Sequence, residues 1–137
     1  MTYLLDTNVL SEIRKRRPAP RVQQWFASTA PHDLYLSVLV VGEIRQGVER
    51  LRELDPTRAA SLDGWLAELV SRFQDRIVPV SLDVAQVWGR LNAADPLPAV
   101  DSLLAATALA HDWTLVSRNL KDMSRTGARL LNPFEPS

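Results

Sequence analysis

The stretch "YLLDTNVL", residues 3–10, runs a short apolar segment straight into Asp6-Thr7-Asn8. Tyr3–Leu5 has the apolar, strand-like composition of a buried strand, and Asp6 stands where a carboxylate either caps the helix that follows or serves a ligand. The rest of the chain repeats the pattern. Strand-like runs recur at Leu34–Ser37, Ile77–Val80 and Thr114–Ser117, with a weaker one at Arg129–Leu131. Helical stretches separate them. Asn8 to about Arg17 and Arg21 to about Ser28 form a pair broken by Pro18 and Pro20. After Ser37 a long helix carries Val41, Ile44, Val48 and Leu51 at the spacing of a buried stripe. Asp55-Pro56 reads as an N-cap with proline at the first helical position, opening a helix through about Phe73. Ser81 opens another, which the loop "ADPLPAVD" (94–101) ends, and Asp101 to His111 is apolar nearly all round, as in a helix buried on several sides. Strands alternating with helices predict an α/β fold with a mainly parallel sheet.

Composition narrows the function classes. With 137 residues, 46% of them hydrophobic, the chain can bury a proper core and is expected to form one domain over 1–137. It has no cysteine, which removes disulfides, thiolate metal sites and thiol nucleophiles. Sixteen basic residues balance sixteen acidic ones, so long-range attraction gives no support for nucleic-acid binding, and any such contact must be local. The dense basic run Arg14-Lys15-Arg16-Arg17, with Arg21 nearby, either complements the end of the first helix or touches a polyanion. No basic leader precedes the first apolar run, and no stretch approaches the roughly 18 apolar residues of a membrane span. The expectation is a soluble cytoplasmic protein.

In an open α/β sheet, ligands bind beyond the carboxyl ends of the strands. Asp6 follows the first strand, Glu43 lies in the second turn of the helix after Ser37, and Asp101 starts the buried helix. Arg118-Asn119 follows the strand Thr114–Ser117, with Asp122 one helical turn further on if a helix begins there. Each acid also has a plain structural explanation: a cap for Asp6, a cap or dipole partner for Asp101, a solvated face for Glu43 and Asp122. Glu43, however, has Leu39, Val40 and Gly47 as its helix neighbours, which resemble a pocket wall with room left in it. Carboxylates gathered at one edge repel one another, and a cation offsets that cost. Oxygen ligands without cysteine, and with two isolated histidines, select Mg²⁺ or Mn²⁺ over zinc. Such a site suits phosphodiester cleavage or phosphoryl transfer.

Four blocks in this order and spacing resemble the PIN-domain ribonucleases, and within them the VapC or FitB-like toxins of bacterial toxin–antitoxin pairs. They are "LLDTNVLSE" (4–12), "LSVLVVGEIRQGVERL" (36–51), "AVDSLLAATALAHDWTLVSRNLKDM" (99–123) and "LLNPF" (130–134). The resemblance covers essentially the whole chain and implies a three-layer α/β/α sandwich. It places the family's acids on Asp6, Glu43 and Asp101, with Asn119 at a fourth position that is often aspartate. Asparagine offers a carbonyl oxygen without charge, and Asp122 is expected to supply the missing charge. Asp6 and Asp101 are then the expected direct metal ligands, Glu43 either ligates through water or orients the attacking water, and Thr7 and Ser117 orient the carboxylates from behind.

By the same resemblance the expected reaction is metal-assisted hydrolysis of structured RNA, tRNA or ribosomal RNA, leaving a 5′-phosphate. The expected partners are a VapB-like antitoxin and a second copy of the chain, in a complex that binds DNA through the antitoxin. The alternatives are a housekeeping RNA-processing nuclease and a catalytically weak binding module, the latter favoured by Asn119. Asp6-Thr7-Asn8 partly resembles the Asp-x-Asp of aspartyl-phosphate phosphatases, but position 8 is not acidic. "GEIRQGVE" (42–49) has two glycines of a phosphate loop but Val48-Glu49 where Lys-Ser/Thr is needed. Of the four tryptophans, Trp25, Trp65, Trp88 and Trp113, most are expected in the core, with Trp65 the first candidate for a partner anchor.

Overall fold

The computed structural model describes residues 1–136. Five strands form one sheet in the order β3-β2-β1-β4-β5: β1 (Tyr3–Leu5), β2 (Leu34–Ser37), β3 (Ile77–Val78), β4 (Thr114–Val116) and β5 (Arg129–Leu131). All four pairings are parallel, with Tyr3 opposite both Leu34 and Thr114 in register. Parallel strands need crossovers, and helices supply them. These are α1 (Thr7–Arg14), α2 (Pro20–Ser28), α3 (Val38–Leu54), α4 (Pro56–Arg72), α5 (Leu82–Ala94) and α6 (Ala99–His111).

The elements start and stop for local reasons. Ser37, Asp55 and Ser81 each accept a backbone N–H of the helix they precede, so α3, α4 and α5 begin where a side-chain oxygen can satisfy an orphan donor. Proline opens α2 and α4. α1 ends at Arg14, three residues before the expected Arg17, because Lys15 leaves helical geometry and turns back to bond Glu12. Only Arg14 of the basic run therefore lies in the last turn.

Leu4, Leu5, Leu36, Leu115 and Val116 are fully buried in the sheet, and Leu104, Ala105, Ala106 and Ala108 of α6 are buried with them. This is the burial on several sides expected of α6, with Ala110 and His111 at its end exposed. Its two buried hydroxyls are satisfied: Thr107 donates to the Leu103 carbonyl, and Ser102 donates to the Ala99 carbonyl while accepting the Trp88 indole N–H at 2.9 Å. In α3 the buried stripe is Val40, Ile44 and Val48, while Val41 and Leu51 are half-buried. The expected 41-44-48-51 stripe is thus displaced by one residue at its start. The helix is rotated so that a second flank meets α4, where a Cβ on Gly47 would touch the Leu62 side chain at 3.7 Å. The space left by Gly47 is filled by Leu62, and it does not open the pocket wall that the sequence suggested.

The chain runs outward from β1 to β2 and β3, then crosses to β4 and β5 on the other side. This reversal sets the crevice beyond the carboxyl end of β1. α6 leads into β4, so its N-terminus lies at the same edge. No helix among the described residues is long and apolar enough to cross a membrane.

Candidate functional site

The ends of two strands, β1 and β4, and three helices, α1, α3 and α6, build the site. Asp6 ends β1 and is 6% exposed; its backbone N–H donates to the Val116 carbonyl of β4 at 2.9 Å, so the strand pairing fixes its position. Its carboxylate accepts from three donors: the Thr7 backbone N–H at 2.7 Å, the Ser117 hydroxyl at 2.8 Å and the Asn8 amide at 3.3 Å. Asp6 therefore does cap α1, and the same bonds hold its carboxylate in one orientation. Burial pushes its pKa above the usual carboxylate value, against the lowering by Ser117 and Thr7.

Ser117 is the hub behind it. Fully buried, it donates to Asp6 and accepts from the Asn8 amide at 3.2 Å and from the Asn119 backbone N–H at 3.1 Å. Asn8 completes the frame by accepting the Arg118 backbone N–H at 3.1 Å. The sequence displayed Asn8 in its first motif, yet its role was missed, because its partners lie 109 and 110 positions away. The Thr7 hydroxyl donates to Glu43 Oε1 at 2.6 Å and holds that half-buried carboxylate.

Asp101 sits in the first turn of α6, two positions after the helix begins at Ala99. Pro98 is the N-cap and makes no side-chain capping bond, so Asp101 is not the cap. Its pKa is raised, first by burial and then by the charges of Asp6, Glu43 and Asp122. Those three acids come from the end of β1, from α3 and from the loop after β4. Their combined field on Asp101 is the electrostatic signature of carboxylates brought together. Asp122 lies exposed in a turn before the short 3-10 helix Ser124–Thr126, and not on the α-helical turn the sequence allowed. Asn119 is also exposed, and its backbone is what ties it to the frame.

The donor chemistry suits a hard cation. Asp6, Glu43, Asp101 and Asp122 offer oxygen, and their mutual repulsion is what a divalent ion would relieve. Among the described residues no three His, Cys, Asp or Glu side chains close around a point as a finished cage does. An open set fits Mg²⁺ or Mn²⁺, which keep several waters and take one or two carboxylates plus substrate phosphate.

The four tryptophans are all half-buried. Trp25, Trp65 and Trp113 pack against the core, and the Arg14 guanidinium lies over the Trp65 ring at 5.6 Å.

A family model described as "PIN domain" matches residues 3–128. The chain is similar to the toxin FitB of Neisseria gonorrhoeae, 31% identical with 96% of this chain and 97% of the relative covered. It is also similar to the VapC ribonuclease Y4jK of Sinorhizobium fredii, 29% identical over 98% of this chain and 99% of the relative. Among solved structures, FitAcB from Neisseria gonorrhoeae superposes with a TM-score of 0.90 at 30% identity, covering 98% of this chain and 100% of that one. FitAB bound to an IR36 DNA fragment gives 0.89, again at 30% identity, covering 99% of this chain and 98% of that one.

Proposed function

Since this chain belongs to the PIN domain family, we propose that it is the ribonuclease toxin of a VapBC-type toxin–antitoxin pair, cutting structured RNA with the help of Mg²⁺ or Mn²⁺. The observation that carries the reading is the field on Asp101. Burial first, and then the charges of three acids from other parts of the chain, Asp6, Glu43 and Asp122, raise its pKa, and gathering those carboxylates costs stability unless a cation offsets it.

Asp6 and Asp101 would hold the ion, with Glu43 reaching it through water. When bound, the cation supplies charge neutralisation at the scissile phosphate and makes water more acidic. The residues of the chain supply the rest. Ser117, Thr7 and Asn8 fix the Asp6 carboxylate, so that it need not reorganise during the reaction. Glu43, held by Thr7, orients the attacking water and takes its proton. A new P–O bond forms from that water, the bond from phosphorus to the 3′ oxygen breaks, and the departing oxygen takes a proton. The products carry a 5′-phosphate and a 3′-hydroxyl. No covalent enzyme intermediate is required.

A small antitoxin whose tail covers the acidic pocket, in a dimeric complex that reads DNA through the antitoxin, is the assembly this reading carries. Its support is the likeness to FitB and to FitAB bound to DNA. We place the protein in the cytoplasm, where its RNA substrates are.

The test is cleavage of total cellular RNA by purified, antitoxin-free protein with Mg²⁺ or Mn²⁺, with chelator, and with Asp6→Ala beside it, mapping new 5′ ends. Discrete metal-dependent cuts lost in Asp6→Ala are expected. RNA binding by well-folded protein without cuts would overturn the nuclease reading in favour of a binding module.

A further inference from the structure

A substrate that is itself a polyanion must lie against four carboxylates, so cations have to hold the strand on either side of the reacting phosphate. Arg118 is placed to do this. It follows Ser117 directly, so its main chain stands at the rim of the site, pinned by Asn8 Oδ1 at 3.1 Å. Its guanidinium lies over the Phe134 ring, 4.5 Å from the centroid, and Phe134 packs against the core. Backbone and side chain are therefore both held, yet the residue is exposed.

Its charge is left without a direct partner among the described residues. Among the described residues Arg118 makes no salt bridge. Glu12 is near enough to feel Arg118, but both of its oxygens are taken, Oε1 by Lys15 Nζ at 2.8 Å and Oε2 by the Ala19 backbone N–H at 2.9 Å. Two residues beyond Arg118, Leu120 lines a cleft of about 490 Å³ together with Trp25, Arg21 and one carboxylate, Glu135. The surface on this side thus combines cations with an aromatic ring, as single-stranded nucleic acid requires.

We propose that Arg118, preset on Phe134, binds the RNA phosphate adjoining the one that is cleaved and directs the strand toward the cleft lined by Leu120, Trp25 and Arg21. Arginine suits the role because its planar fork bonds phosphate oxygens in pairs while its face stacks on the ring. The assignment rests on the nuclease reading for the identity of the substrate.

The test has a binding arm and a cleavage arm. With chelator present, affinity for bulk tRNA is measured across a salt series for wild type, Arg118→Ala, Arg118→Lys and Phe134→Leu. Arg118→Ala is expected to weaken binding about tenfold and to lower the slope of log Kd against log salt by about one. Arg118→Lys and Phe134→Leu keep the slope and lose part of the affinity. In the cleavage arm KM rises about tenfold for Arg118→Ala while kcat stays within about twofold. An unchanged slope and affinity in Arg118→Ala overturns the proposal, whether or not wild type cuts. A lower melting temperature without a change in slope assigns Arg118 to the fold alone. If wild type binds RNA without cutting it, the nuclease reading falls, while the slope still decides what Arg118 holds.

Discussion

Thr7 Oγ1 donates to Glu43 Oε1 at 2.6 Å, a bond between the first residue of α1 and the second turn of α3, 36 positions apart in the chain. The distance lies in the range of charge-assisted O–H···O⁻ bonds, which are roughly twice as strong as neutral ones. Thr7→Val keeps the shape and removes the donor. We expect cleavage to fall about 10- to 100-fold, as for other residues that orient a ligand from behind, with Thr7→Ser restoring most of it. Rates of the two variants on one mapped RNA site check this, and equal rates would show that Glu43 needs no holding.

Ser117→Ala should cost both stability and activity. The hydroxyl is fully buried, and its loss leaves the Asn119 backbone N–H without its acceptor and Asp6 without its shortest side-chain donor. An unsatisfied buried polar group costs about 1–3 kcal/mol. Denaturant unfolding should show a loss of that order, and Ser117→Thr should recover part of it if the extra methyl is accommodated.

Asp101→Asn should abolish cleavage and leave metal-free stability equal or higher. The folded-state pKa of Asp101 is raised above the ordinary 3.8, so its neutral form suits the fold. That contribution is fully present below the unfolded value and is lost as pH rises through the folded one. The variant's advantage in melting temperature over wild type should therefore be small at about pH 4 and larger at about pH 7 without metal. An advantage that shrinks on the same titration would contradict the repulsion on which the site rests. Unfolding of the variant would contradict it as well.

Mg²⁺ or Mn²⁺ should raise the melting temperature of wild type. A ligand at about 100 times its dissociation constant stabilises by roughly 2.7 kcal/mol when it binds only the folded state. The gain should be much smaller in Asp6→Asn and Asp101→Asn. Calorimetry with and without millimolar metal reads this directly, and identical curves for wild type would remove the metal from the mechanism.

Much of the architecture was legible in the sequence because the signals that carry it are local. Apolar runs such as Leu34–Ser37, caps such as Ser37, Asp55 and Ser81, and the all-round apolar segment ending at His111 are set by neighbours within a few residues. The same holds for the general position of the acids. A residue that follows a parallel strand must emerge at its carboxyl edge, which puts Asp6 and Ser117 together at one end of the sheet.

What could not be read was rotation and distance. A shift of one residue in helix phase moved the buried stripe of α3 from Val41 to Val40, and the room beside Gly47 went to Leu62 of a different helix. Asp122 would lie one helical turn beyond Asn119 if a helix began there; it lies instead in a turn of another kind, because the chain after β4 is shaped by its return to β5.

The sequence by itself determined that this is an alternating α/β chain with acids at the carboxyl edge of its sheet, since strand period, helix period and capping are properties of adjacent residues. Only the tertiary structure decided that Ser117 supports Asp6 across 111 positions, that Asn8 locks both to Arg118, and that Asp101 feels three other acids at once. Those contacts depend on sheet register and on the way six helices settle against five strands. That packing is fixed by burial summed over the whole core, and no single stretch of sequence contains it.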